Sequence, residues 1–451
     1  MIRRTICCIA LLFSALPAAA QVSSEEHPPS TAAASPNGVS PKSRTELLKS
    51  QRRAKFDEMT PPRRNMIEKY IKDLDQKGTN TVEEANFWRF HPRLDWISGN
   101  SGIAPGVRYW NPGIIGPVDV MGAAFYSWKR YQYYDLQVGM IPNRGKRIPA
   151  RSFETVNVDQ LGDIDREAFS RFKLYASARF RDRTDESYHG SGPDTEKDEN
   201  AHYRIKDVLS EIVTGYQLTH HIAFTVKAGL LQNSLAEGRS DPSLEEEFSQ
   251  SSGPPDNSLP GSQMPPNYVL THTSFFLDYR DDPGVPHKGF IFSFGWEKYD
   301  NINSNNLFNF HRFGADFRFF IPLGSRQQVI AFRTMGVDSD PAPDNYIPFF
   351  LQPALGGAES LRGYDGNRFR GDKVLLIQCE YRWEASRRIE LALFGDTGTV
   401  ADQGERLSIN KMKSDVGGGF RFKSSRATLF RLDLAGSNEG VYFQFRTSKS
   451  F

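Results

Sequence analysis

The sequence predicts an all-β protein, a transmembrane antiparallel β-barrel of about 16 strands preceded by a short N-terminal helical segment. Three observations predict it. Segment after segment alternates between apolar and polar residues, which is the period of a β-strand. The polar face of several segments carries rows of charges that need water, while the opposite face needs lipid or a core. The polar stretches between the segments are longer than the loops of compact soluble domains.

The composition excludes some classes of protein and fits a barrel. The chain has 451 residues and a formal net charge of +2, so excess basicity gives no reason to expect a nucleic-acid partner. Aromatic residues make up 12% of the chain, which is typical of barrels with aromatic girdles at both lipid–water boundaries. The mean hydropathy of −0.53 is compatible with this, because a barrel spreads its apolar residues over alternate positions.

Residues 1–20 have the form of a secretory signal peptide. Arg3 and Arg4 precede an apolar run over residues 6–16, and three alanines then precede Gln21. A short membrane anchor is the alternative interpretation, but the apolar run is short for one. Cys7 and Cys8 lie within this segment, so the mature chain would keep one cysteine, Cys379, and no intramolecular disulfide could form.

Residues 21–42 are rich in Ser, Pro and Ala and are predicted to be a disordered linker. Residues 43–91 are predicted to be a helical periplasmic segment, with a capping box at residues 43–46. One apolar stripe recurs there at helical spacing: Met66, Ile67, Tyr70, Ile71 and Leu74. Two interpretations stay open, a solvated helix pair and a helix pair that packs under or inside the barrel.

Residues 92–451 are predicted to form the outer-membrane barrel. The 360 residues from Pro92 to the C-terminus accommodate roughly sixteen strands of about ten residues with their loops. Long polar segments at residues 182–200, 236–267 and 337–372 are predicted to be loops. The C-terminal residue, Phe451, follows alternating apolar positions, as in the final strand that many outer-membrane barrels present to the insertion machinery.

A glycine-rich segment with Leu361-Arg362-Gly363-Tyr364 precedes two of the alternating segments. In the first of them, Glu380 belongs to the polar, inward face. In the second, Asp396 belongs to the inward face and Phe394 shares it. An arginine brought into a confined lumen would need such a carboxylate partner. Without further information, Arg362 in an ordinary solvated surface loop remains the alternative.

These residues resemble the BamA/TamA-type outer-membrane proteins, also called the bacterial surface-antigen family, which includes two-partner secretion transporters. In that family a long extracellular loop folds into the barrel, and its tip carries a hydrophobic-Arg-Gly-aromatic motif. Its arginine pairs with the acid of a Phe-x-Asp-x-Gly strand motif. The resemblance therefore implies that Arg362 pairs with Asp396. The other positions of the loop motif are matched by Leu361, Gly363 and Tyr364, and those of the strand motif by Phe394 and Gly398.

The resemblance implies a role in outer-membrane biogenesis or in translocation of polypeptides or lipids. The relatives known for insertion or export carry periplasmic POTRA modules, and no alternating strands for such a module appear between Gln21 and Pro92. Three functions stay open: an assembly or translocation factor of reduced design, a passive pore or structural barrel, and a subunit whose clients are delivered by a separate periplasmic partner. The expected environment is outer-membrane lipid.

The sequence contains no recognisable catalytic constellation. It lacks a Gly-x-Ser-x-Gly elbow, a phosphate-binding Gly-Lys-Ser/Thr loop and a His-Glu-x-x-His helix motif. His220 and His221 are adjacent, and neighbouring residues on a strand point to opposite faces, so they do not predict a metal site. We therefore expect no enzymatic activity, no cofactor and no metal.

Overall fold

Sixteen antiparallel strands form one sheet in chain order, and the sheet curves into a nearly closed barrel in the computed structural model of the protein. The structure describes residue 48 and residues 89–141, 172–248, 259–282, 285–303, 307–423 and 428–446. The predicted signal peptide, the linker, nearly all of the helical segment and Phe451 lie outside the described residues. The predicted barrel fold is confirmed.

The sheet contains these strands: β1 (Phe90–Trp96), β2 (Ile103–Ile115), β3 (Val118–Tyr126), β4 (Gln132–Met140), β5 (Phe172–Tyr188), β6 (Ala201–Thr219), β7 (Ile222–Glu237), β8 (Tyr268–Asp278), β9 (Gly289–Asn301), β10 (Phe310–Leu323), β11 (Ser325–Pro341), β14 (Lys373–Glu384), β15 (Ile389–Ala401), β16 (Lys413–Lys423), β17 (Thr428–Ser437) and β18 (Gly440–Arg446).

The remaining described elements are short. Strands β12 (Ala354–Leu355) and β13 (Phe369–Arg370) pair with each other between β11 and β14. One helix, α1 (Leu244–Phe248), and two 3₁₀ turns, Phe349–Leu351 and Ile409–Lys411, complete the set. Among the described residues no helix is long and apolar enough to cross a membrane.

The side chains alternate as the sequence predicts. On β14, Gln378 and Glu380 face the lumen and are almost fully buried, whereas Trp383 on the outer face is 44% exposed. On β15, Leu393 is 60% exposed on the outer face and Asp396 is buried. The exposed apolar face suits lipid, and the charged inner face requires partners inside the barrel.

The two ends of the barrel differ. At the short-turn end, β6–β7 and β10–β11 are joined by tight turns, and at the long-loop end β5–β6, β7–β8 and β11–β14 are joined by longer segments. All three predicted loops are shorter than expected, because β5 continues to Tyr188, β7 to Glu237 and β11 to Pro341. A strand continues through polar residues as long as its backbone pairs with a neighbouring strand. The end of β5 pairs with the start of β6 in this way.

The first and last strands meet at a seam. Each has only seven residues, and within the described part of the chain no ladder of hydrogen bonds joins β1 to β18. Side chains bring them together instead. The rings of Trp96 and Phe445 lie 5.3 Å apart, and the guanidinium of Arg446 lies 5.1 Å from the Trp96 ring.

Candidate functional site

The segment between β11 and β14, residues 342–372, folds into the long-loop end of the barrel; we call it the infolded loop. The β12–β13 pairing closes it into a hairpin. Its base packs in an apolar cluster on the inner wall that includes Phe349, Phe350 and Leu351 together with Tyr203 and Tyr268. The burial of these large side chains fixes the base of the loop.

The tip of the infolded loop lies deep inside the barrel. Leu361 is fully buried and packs in a second apolar cluster with Leu355, Tyr364 and Leu376. The hydroxyl of Tyr364 lies 2.7 Å from Oδ1 of Asn438, which belongs to the β17–β18 turn. Leu361 and Tyr364 therefore pack against the barrel wall, and Arg362, which lies between them in the sequence, faces the polar side chains of the lumen.

Arg362 contacts carboxylates of neighbouring strands. Its Nε lies 2.7 Å from Oδ2 of Asp396, and its Nη2 lies 2.8 Å from Oδ1 of the same side chain. Its Nη1 donates to Oε2 of Glu380 at 2.9 Å. The three side chains are at most 2% exposed. We call this arrangement the Arg362 lock; its two-pronged contact with Asp396 is the strongest geometry available to a guanidinium and a carboxylate.

An aromatic ring completes the lock. The guanidinium carbon of Arg362 lies 3.4 Å from the centre of the Phe394 ring, so the cation rests on the ring face. Gly398, the last residue of the same strand motif, lies against Leu355, and a Cβ there would fall 2.7 Å from Leu355 Cδ1. Gly363 similarly lies against Asp415, where a Cβ would fall 2.5 Å from the Asp415 Cβ. Both glycines permit a close approach of the loop to the wall.

The structure adds residues that the motifs do not contain. Glu380 is shared with Arg382 and Arg421, each with a nitrogen 2.6 Å from Oε1. Gln378 donates to Oδ1 of Asp396 at 3.1 Å and to the Ser360 carbonyl at 2.7 Å. These residues lie on the inward face of β14 and β16, so the strand alternation could have identified them as lumen residues, although not as partners.

A second arginine fastens the infolded loop at the long-loop end. Arg368, 1% exposed, pairs with Glu439 of the β17–β18 turn, with Nη2 2.9 Å from Oε1. Its Nη1 donates to Thr195 Oγ1 and its Nη2 to the Thr195 carbonyl, both at 2.7 Å. Arg368 thereby joins three loops, and no motif in the sequence indicated it.

At the short-turn end, ion pairs hold the β8–β9 hairpin. Within the hairpin, Arg280 forms a two-pronged contact with Asp278, with both distances 3.0 Å. A second contact joins the hairpin to the neighbouring wall. His287 Nε2 lies 3.0 Å from Oε1 of Glu384, which also contacts Lys423. The contact with Glu384 is the main cause that raises the pKa of His287.

The histidine pair lies beside the β8–β9 hairpin, where His221 Nδ1 is 2.8 Å from the Asp278 carbonyl oxygen. His220 and His221 lie in the β6–β7 turn, where His221 stacks on Tyr279 with ring centres 4.2 Å apart. Within the described residues, no three His, Cys, Asp or Glu side chains are grouped to hold a metal ion.

Comparisons with known proteins identify a matching family and similar structures. A model of the Omp85 superfamily domain matches residues 165–451. The structure is similar to that of BamA from Haemophilus ducreyi lacking POTRA domains 1–3, with a TM-score of 0.53 and 12% identity, over 83% of this chain and 77% of that chain. No curated protein sequence matches.

Two CdiB structures also match. CdiB from Acinetobacter baumannii has a TM-score of 0.45 and 11% identity, over 80% of this chain and 59% of that chain. CdiB from Escherichia coli has a TM-score of 0.46 and 10% identity, over 80% of this chain and 63% of that chain. This chain spans less than two thirds of either CdiB chain. The described residues contain the barrel and no POTRA module.

Proposed function

Because the chain belongs to the Omp85 superfamily, we propose that it is an outer-membrane factor that assembles or translocates polypeptides or lipids, with its infolded loop held by the Arg362 lock. The proposed location is the outer membrane, with the apolar outer face in lipid. The role needs no catalytic chemistry and no cofactor.

The observation that carries the proposal is the occupied lumen. The infolded loop enters the barrel, its tip is held by buried ion pairs, and its base is held by the aromatic cluster at the mouth. A passive pore works through an open lumen, so the arrangement favours a barrel that acts by changing shape. Removing one partner of a buried ion pair typically costs about 3–5 kcal/mol, so the lock is strong enough to hold one state of the loop.

The seam supports the same function. Strands β1 and β18 have main-chain groups that no inter-strand ladder satisfies within the described residues. Such edges can pair with a strand of another chain, which gives a client polypeptide a route into the membrane. The contacts across the seam, Trp96 with Phe445 and with Arg446, involve side chains and can separate without breaking a sheet.

The experiment that tests the assembly function also tests two other functions, a passive pore and a subunit of a larger complex. A passive pore or structural barrel would keep the lock only for stability. A subunit of a larger complex would receive clients from a separate periplasmic partner, and the barrel-only content of the described residues favours that form over a self-sufficient insertase.

Reconstitution of the full chain in liposomes distinguishes the three. We expect the protein to accelerate insertion of an unfolded client barrel, alone or with a co-purifying periplasmic protein. Arg362→Ala should reduce that acceleration, whereas Arg387→Ala, at an exposed position in the β14–β15 turn, should not. Steady ion conductance without any client insertion, equal in both variants, would establish the passive pore instead.

A further inference from the structure

Four buried guanidinium groups gather where the long-loop end of β5 meets the infolded loop; with two carboxylates they form what we call the arginine cluster. Its cations are Arg179, Arg181, Arg183 and Arg370, which are 9%, 3%, 5% and 2% exposed. Its carboxylates are Asp207 at 1% and Glu186 at 0%. The cluster therefore has two positive charges more than its own acids neutralise.

One carboxylate serves three of the cations. Both oxygens of Asp207 lie within 3.0 Å of Arg181 Nε, and its Oδ1 lies 3.3 Å from Arg183 Nη2. Arg179 is more distant, with Nη2 3.7 Å from Oδ2. Asp135 lies opposite Arg179 on β4, but it is only partly buried and accepts hydrogen bonds from Tyr133 and Gln137. Counting Asp135 still leaves the cluster positive.

Arg370 forms no ion pair within the described part of the chain. Its Nη2 donates to the Tyr203 hydroxyl at 3.3 Å, and its Nε has no hydrogen-bond partner there. The Nε atoms of Arg179 and Arg183 are also buried without a partner. Buried charges and buried N–H groups are costly when they are left unpaired, so these donors are suited to an added acceptor.

Glu186 restricts which kind of acceptor fits the cluster. It lies close enough to Arg183 and Tyr203 to interact electrostatically, but neither of its oxygens has a hydrogen-bond partner among the described residues. A ligand that fits must accept hydrogen bonds from guanidinium groups and donate one to a carboxylate. A phosphate group that keeps a proton does both, whereas sulfate is fully ionised and only accepts.

A buried histidine next to the cluster adds no charge to it. His189, just after β5, is 4% exposed, and its Nδ1 has no partner in the described part of the chain. Burial first, and then the charges of Arg368 and Arg370, lower the pKa of His189 to about 4. The imidazole is thus neutral at pH 7 and adds no charge, and the positive potential comes from the arginines alone.

We propose that the arginine cluster is a phosphate-binding site beside Tyr203, in which Arg183 and Arg370 donate to the phosphate oxygens and Glu186 accepts its hydroxyl. The phosphate is either free inorganic phosphate or the phosphomonoester of a lipid headgroup, because both keep a proton near neutral pH and a phosphodiester headgroup does not. The site does not depend on the proposed assembly function, because its residues take no part in the Arg362 lock or the seam.

The test is thermal unfolding of the full chain in phosphate-free detergent, titrated with sodium phosphate or sodium sulfate at constant ionic strength. We expect a saturable rise in Tm with phosphate, and a half-saturating sulfate concentration about tenfold higher, because sulfate leaves Glu186 unpaired. Arg370→Gln should fold, since it removes an unpaired buried charge, and should lose the response. Arg387→Gln, at the exposed turn position, should keep it.

Two further arms complete the test. Short-chain phosphatidic acid that half-saturates the response below the concentration needed for inorganic phosphate assigns the site to a lipid headgroup, and the reverse order assigns it to free phosphate. Arg183→Gln provides an independent variant that should also weaken the response, because the Nε of Arg183 is a buried donor without a partner among the described residues. Identical phosphate and sulfate curves, or an unchanged phosphate response in both cluster variants, would overturn the proposal.

Discussion

Arg362 of the infolded loop and Asp396 of β15 are joined by two hydrogen bonds of 2.7 and 2.8 Å inside the barrel, at positions where both side chains are almost fully buried. The pair lies between Glu380 on one side and the Phe394 ring on the other. Its loss would leave Asp396 without its arginine and would remove one of three cations around Glu380, and the first prediction follows from that.

Arg362→Ala should lower the free energy of unfolding by about 3–5 kcal/mol, because the buried carboxylates lose a charge partner. The measurement is the denaturation midpoint of the folded barrel in detergent, followed by heat-modifiable mobility on gels, together with its abundance in the outer membrane. Arg387→Ala is the control, at an exposed turn position. Equal midpoints and equal abundance for the two variants would show that the lock does not stabilise the barrel.

Gly363→Ala should displace the loop tip without removing any charge. The added Cβ would fall 2.5 Å from the Asp415 Cβ and 3.1 Å from the Ser437 Cβ, and the backbone must move to relieve the contact. We expect a loss of about 1–3 kcal/mol. Gly436→Ala is the matched control, because a Cβ there meets no atom within 4 Å. If both variants unfold at the same denaturant concentration, the tip is not packed as described.

Arg368→Gln should free the long-loop end while leaving the Arg362 lock intact. The variant loses the ion pair with Glu439 and weakens the contacts with Thr195. Hydrogen exchange measured by mass spectrometry should become faster in residues 189–200 and in the β17–β18 turn. Lys298→Gln, in an exposed ion pair with Asp300 on β9, is the control. Protection unchanged in both regions would argue against a three-loop junction.

The His287 contact predicts a pH dependence at the short-turn end. The pKa of His287 is raised in the folded protein, chiefly by its hydrogen bond with Glu384. The contribution of this pair to stability is therefore complete below the unfolded value of about 6.5 and is lost as the pH rises through the folded value. The wild type should lose more stability than His287→Gln between pH 6 and pH 9, measured as Tm. His220→Gln, at an exposed turn position, should follow the wild type.

Strand alternation was enough to predict much of this molecule. It places Glu380 and Asp396 on the inward face, where both are buried, because period two is a local property that tertiary structure does not change. It failed at the strand ends. The polarity of Asp182 and its neighbours predicts a loop, but Asp182 pairs with Lys206 of β6, because side-chain polarity does not mark where backbone pairing stops.

The contacts that join distant parts of the chain had no sequence signal. Arg368 and Thr195 are 173 residues apart, and neither belongs to a motif. Arg370 resembled any other loop arginine until the structure placed it beside Tyr203. Such contacts depend on how loops pack at the mouth, and that packing follows from the complete barrel and not from a local pattern.

The separations along the chain also suggest an order of folding. The Arg362–Asp396 contact spans only 34 residues, within one loop and the hairpin that follows it, whereas the Arg368–Thr195 contact must close a segment five times longer. Because shorter loops cost less entropy to close, we expect the C-terminal third to form the nucleus and the N-terminal strands to dock later. A nascent barrel would then hold its infolded loop in place before all of its strands have joined the sheet.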